Sequence, residues 1–171
     1  GTNSGAVYIG TEGATDGSFT NRVFGGYVSN LRITKGGALY TSNFTPSTTP
    51  LTTTVSSGTV SLLTCQSNRF IDTSANAFTI TVVGSSTQVS RFSPFAPTYS
   101  TQYSTSTIGG SSYMPASTDY LSAARNIAFT GFGTSNFTIE GWFYSSDFSS
   151  SPMFAQMGYG ASRDWALQIL S

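Results

Sequence analysis

Nine residues near the C-terminal third constrain this chain most: Asn136-Phe137-Thr138-Ile139-Glu140-Gly141-Trp142-Phe143-Tyr144. They alternate with a period of two. Phe137, Ile139, Gly141 and Phe143 fall on one face, and Thr138, Glu140, Trp142 and Tyr144 on the other. β-branched and aromatic residues at that period spell a strand rather than a helix. The first face is expected to be core, with Phe137, Ile139 and Phe143 buried together near Leu121 and Leu167. The second is amphipathic, as on a strand that lines a groove or carries a covering loop.

The rest of the chain reads as strands and turns. Val7-Tyr8-Ile9 is a short apolar run closed by Gly10, and 11–21 is a polar turn or loop. Phe24 to Ile33 enters through Gly25-Gly26, with Tyr27, Ser29, Leu31 and Ile33 predicted on one side and Val28, Asn30 and Arg32 on the other. Tyr40 to Pro46 follows as an extended tail anchored by Phe44. Val60–Cys65 and Phe78–Val83 are further strands, and 93–112 is irregular. Leu121 to Phe129 has Leu121, Ala124 and Ala128 spaced for one or two helical turns. Met153–Met157 and Trp165–Leu170 close the series around a Gly-rich turn at 158–164. Many short strands with Gly-rich turns and one brief helical pattern make this an all-β chain, an antiparallel two-sheet sandwich or barrel.

Composition narrows the function classes. Only 8% of the 171 residues are charged, the formal net charge is zero, and Lys35 is the sole lysine. That leaves no electrostatic footprint for nucleic acid or anionic lipid. About a third of the residues are Ser or Thr, but the 14% aromatic content supplies a core that disordered stalks lack. A polar, uncharged skin of this kind suits an extracellular or virion surface. No apolar run is long enough to span a bilayer. Cys65 is the single cysteine, so it has no disulfide partner within the chain and reads as a small buried hydrophobe. The chain opens on Gly1, and patterned sequence runs to both ends, so it is expected to be part of something longer.

Several motifs together resemble one family. Phe24-Gly25-Gly26-Tyr27-Val28-Ser29-Asn30-Leu31-Arg32-Ile33-Thr34-Lys35 is similar to the closing strand of concanavalin A-like, laminin-G-like lectin domains. Phe70-Ile71-Asp72-Thr73-Ser74-Ala75-Asn76, then Ser117-Thr118-Asp119-Tyr120-Leu121, then Asn136 to Phe143 resemble the opening half of the same domain, in the same order. The run from Leu62 to Asp72 most resembles tandem copies of such domains in structural proteins of marine bacteriophages, especially those infecting cyanobacteria. The resemblance implies a two-sheet jelly roll in parts of two tandem copies. Residues 1–46 would be the C-terminal strands of one copy, 47–59 a Ser/Thr/Pro linker, and 60–171 the N-terminal part of the next. The middle strands, including the family's Trp-x-His segment, have no counterpart, and the chain contains no histidine.

Two completions of that cut register follow. Missing strands are supplied from outside, by the rest of a longer polypeptide or by neighbouring copies, or the two parts fold together as a permuted sandwich. The spacer-like 46–58 segment favours the first, since proteins rarely leave long strand edges open.

Candidate sites are few. A glucanase needs two carboxylates facing one sugar, and Glu140 stands alone on its strand. Without histidine there is no Ser-His or Cys-His dyad. No catalytic residue, cofactor site or metal site is therefore predicted. Calcium would draw on Asp72 with Asn76, on Asp119 or on Asp16. Scattered turn aspartates more often cap their own backbone, so the cation is not favoured. Trp142 and Tyr144 share a strand face and are the candidate glycan contacts. The sequons Asn43-Phe44-Thr45 and Asn136-Phe137-Thr138 read as accidental, the second lying in an expected core strand. The predicted function is a non-enzymatic structural and adhesion module of a phage fibre or appendage, located on the virion surface or outside the cell. Its expected partners are other copies or the rest of a longer polypeptide, and host-surface glycans. The alternatives are a bacterial cell-surface adhesin module and, more remotely, a polysaccharide hydrolase.

Overall fold

The computed structural model describes residues 5–12, 24–96, 103–116, 118–145, 148, 152–158 and 164–169. Among them are ten strands and no helix: β1 (Val7–Ile9), β2 (Gly26–Lys35), β3 (Thr59–Thr64), β4 (Ile80–Val83), β5 (Gln88–Ser90), β6 (Ser111–Met114), β7 (Tyr120–Ala123), β8 (Phe137–Ser145), β9 (Met153–Met157) and β10 (Trp165–Gln168). They form two antiparallel five-stranded sheets. The first runs β10-β9-β1-β7-β4. In the second, β2 pairs along its whole length with β8 on one side, and with β3 and then β6 on the other, with β5 beyond β6. No helix among the described residues is long and apolar enough to cross a membrane.

The expectation that the strand over Tyr27–Ile33 is completed from outside is overturned. It takes β3, β6 and β8 of this same chain as partners. β1 likewise lies between β7 and β9. Strands before and after 47–59 thus interleave in both sheets, as in the permuted alternative. The 46–58 segment is no free spacer either. Leu51 is buried and clusters with Val60 and Leu63 of β3, and Val55 and Trp142 pack against them.

Side chains between the sheets form the main core. β1 gives Val7 and Ile9, β7 gives Leu121 and Ala123, and β2 gives Val28, Leu31 and Ile33. Phe24 and Phe154 meet edge-on at 5.0 Å, and Phe143 lies 4.2 Å from Phe154. Ile139, Phe143 and Leu167 pack on this core half-buried, on the face assigned to them. Phe137 does not. It is 44% exposed and stacks on Phe132 at 4.5 Å, because it pairs with Lys35 at the outer end of both strands. Asn136 beside it is exposed, so the second sequon lies outside the core.

The β2 faces also differ from simple alternation. Ser29 pairs with Trp142 and Arg32 with Glu140, so Asn30 and Leu31 together oppose Gly141. Two residues against one is a β-bulge. Asn30 takes φ +52°, a conformation that asparagine tolerates better than most residues. The bulge flips the pattern. Val28 joins Leu31 and Ile33 inside, while Tyr27 and Ser29 turn to the outer face with Arg32. A Cβ on Gly141 would meet the Leu31 Cα at 3.3 Å, so the missing side chain opposite the bulge lets the two backbones close.

Two further corrections are local. Residues 120–123 form β7 rather than a helical turn, since Leu121 and Ala123 point alternately into the core. Only consecutive turns, with Phe129 N donating to Asn126 O and Thr130 N to Ile127 O, follow at 126–130. Phe44 is 55% exposed and stacks on Tyr40 at 3.9 Å, so it anchors nothing beneath it. Residues 159–163 of the expected turn and most of the 11–21 loop lie outside the described residues.

Candidate aromatic cleft

The outer face of the second sheet carries a group of aromatic side chains that the core does not use. Tyr113 of β6, Tyr27 of β2 and Tyr144 of β8 are directly paired across three neighbouring strands. Cross-strand neighbours on one face touch, and the rings follow suit. Tyr27 stacks on Tyr113 at 4.5 Å and lies 6.2 Å from Tyr144. Phe92, just past β5, comes within 4.9 Å of Tyr27 and 5.5 Å of Tyr144. Phe95 meets Trp142 edge-on at 4.8 Å.

Between these rings is a cleft of about 190 Å³ lined by Tyr27, Ser29, Phe92, Pro94, Ser111, Trp142, Phe143 and Tyr144. Trp142 and Tyr144, the two predicted contacts, therefore meet in one depression. Trp142 also props the covering segment, packing against the Leu51, Val60 and Leu63 cluster. The two serine hydroxyls in the lining are engaged: Ser29 donates to Gly110 O at 2.5 Å and Ser111 to Phe92 O at 2.8 Å.

Sequence patterning missed Tyr27, Phe92, Phe95 and Tyr113 as members of this group. The bulge at Asn30–Leu31 put Tyr27 on the opposite face from the one alternation assigns. The mixed run around Phe92 and Phe95 has no period to read. An asparagine in the middle of the strand, a residue that tolerates positive φ, was the one available signal for the bulge.

Next to the cleft, the only strand carboxylate of β8 is fully occupied. Arg32 gives Nε and one terminal nitrogen to Glu140 Oε1 at 2.9 and 2.6 Å, and Tyr40 Oη donates to Oε2 at 2.6 Å. The other Arg32 nitrogen donates to Thr52 O, tying the pair to the covering segment. Burial, and the Glu140 carboxylate that accepts its proton, push the Tyr40 phenol above its ordinary value. Asn30 holds the same segment, accepting from Leu51 N and Gln66 Nε2.

The calcium candidates are also structural. Asp72 accepts four hydrogen bonds, from Leu63 N, Ser74 N, Ser74 Oγ and Phe78 N, which leaves its carboxylate closing its own turn. Asn76 donates to Ser61 O. Asp119, itself buried, accepts from Ser86 N and Ala116 N. Asp16 lies outside the described residues. Cys65 is buried at φ +61°, and desolvation pushes its thiol up to about 11. It stays protonated, and unreactive, at neutral pH.

No family model, curated protein or solved structure matches the chain.

Proposed function

We propose that this chain is a non-enzymatic structural and adhesion module of a phage fibre or appendage, exposed on the virion surface, which touches host-surface glycans through Trp142 and Tyr144. Other copies, or the rest of a longer polypeptide, are its assembly partners. The observation that carries the glycan contact is the aromatic cleft itself, with Trp142, Tyr144, Tyr27 and Phe92 around one depression. An aromatic face is electron-rich, and the C–H edges of a sugar ring carry partial positive charge, so the two stack. A mostly apolar hollow with few polar groups is the ordinary form of a ligand site. Against hydrolysis stands Glu140, whose two oxygens accept from Arg32 and Tyr40. The virion setting rests on the resemblance of the Leu62–Asp72 run and its neighbours to phage domain arrays, and on the polar, uncharged composition.

Titration of intrinsic fluorescence with host-surface oligosaccharides tests the contact. Saturable quenching is expected, weakened at least tenfold by Trp142→Ala or Tyr144→Ala. No response to any glycan would remove the adhesion role. Antibodies raised against the chain should decorate an appendage of phage particles in electron micrographs. Decoration of bacterial cells instead would replace the virion setting by a cell-surface one.

A further inference from the structure

We propose that the cleft accepts one uncharged sugar ring and discriminates against uronic, sialic and sulfated sugars. This rests on the glycan contact above and assigns its ligand class. Three features of the site converge on it.

Charge is the first. None of the eight described residues of the lining is Asp, Glu, Lys, Arg or His. Arg32, on the same outer face of β2 as Tyr27 and Ser29, already serves Glu140 Oε1 twice and Thr52 O once, and the Glu140 charge cancels its own. Arg91 neighbours Phe92 in the chain but does not line the cleft. An anionic sugar entering here would shed water from its carboxylate or sulfate with no opposite charge to receive it, and burying an unpaired charge is strongly unfavourable.

Donor chemistry is the second. Carboxylates and sulfates are held by N–H and O–H donors. Ser29 and Ser111 direct their protons to backbone carbonyls at 2.5 and 2.8 Å, so neither serine turns its hydroxyl proton toward an incoming anion, and the other side-chain donors of the described lining, the Tyr27 and Tyr144 hydroxyls and the Trp142 indole N–H, carry no charge. A sugar hydroxyl can donate as well as accept, and needs no donor from the floor.

Size is the third. Pockets for drug-sized ligands begin at roughly 300 Å³, and 190 Å³ is well below that. One ring fits; a chain of rings would lie across the rim.

The intact chain is titrated with methyl glucoside, methyl galactoside, methyl glucuronide and galactose 6-sulfate, with fluorescence as readout at low and high salt. At least one neutral glycoside should bind at least tenfold more tightly than either anion, with no dependence on salt. Comparable or tighter binding of the glucuronide overturns this inference and leaves the glycan contact standing. Failure of every sugar removes both. Pro94 lines the cleft and is exposed, so it can change without removing either glycan-contact ring. Pro94→Arg, which brings a cation to the rim, is expected to improve glucuronide binding relative to the neutral sugars at least fivefold. An unchanged preference in that variant would overturn the charge argument. A trisaccharide should gain less than threefold over the single ring, and a tenfold gain would overturn the one-ring limit.

Discussion

β2 and β8 are of nearly equal length, hydrogen-bond to each other from end to end, and lead opposite lives. β2 has strands on both sides and is buried over most of its length; β8 has only β2 beside it among the described strands, and nearly every residue is half-buried. The clean alternation belongs to the outer strand. β8 presents one face to the core and the other to a partly open cleft, so polar and apolar residues separate neatly. β2 is covered on both faces, and its pattern is blurred by a bulge and by buried polar residues such as Asn30 and Arg32. Strong period-two patterning therefore marks a strand with a wet face, while a central strand is harder to read.

The sharpest way to break this comparison is to truncate one core side chain in each strand. Leu31→Ala in β2 should cost about 4 kcal/mol, because a fully buried leucine leaves a cavity in surroundings that cannot collapse. Ile139→Ala in β8 should cost about half that, since its site is already open to solvent on one side. Urea denaturation of the two variants measures the difference. Equal losses would mean that β8 is as enclosed as β2.

The next test acts on the link between the strands. Glu140→Ala leaves the Arg32 guanidinium, whose side chain is 7% exposed, without its counter-ion. Removing one member of a buried pair costs about 3 kcal/mol, and thermal unfolding should fall by several degrees for a chain of this length. A loss below about 1 kcal/mol would show that the pair is solvated like a surface one.

The smallest effect is expected at Phe137. Its ring stacks only on Phe132 and remains 44% exposed, so Phe137→Ala should cost less than about 1 kcal/mol. A larger loss would restore Phe137 to the core.

These contrasts show what patterning can reach. Fold class, the edges of β1 and β9, those of β8 to within one residue, and the pairing of Ile139 with Phe143 on one face follow from period and composition alone. The placement of Trp142 and Tyr144 on the opposite face follows in the same way. Hidden from that reading is everything set by register. A single extra residue at Asn30–Leu31 moves Tyr27 from the core to the cleft, and no periodicity announces an insertion of one. The covering segment is hidden for a different reason. Its Pro- and Thr-rich composition looks like a spacer, yet Leu51 and the hydrogen bonds to Asn30, Arg32 and Gln66 bring it down onto the sheet. Leu51 alone is too weak a local signal to outweigh its neighbours. Phe92 and Phe95 are silent in sequence because their positions depend on partners far along the chain.

The interleaving of early and late strands has a consequence in time. β1 needs β9, its register joining Val7 to Met157, and β2 needs β8, joining Lys35 to Phe137. More than a hundred residues must leave the ribosome between the synthesis of β2 and that of its longest partner, on the order of ten seconds at ordinary translation rates. Until then a ten-residue strand carrying Val28, Leu31 and Ile33 waits with one side unmatched. Closing such distant pairs is entropically slow. The newborn chain is thus most prone to stick to its neighbours before β8 emerges, and a nascent-chain arrest between β7 and β8 should yield the most chaperone-dependent species.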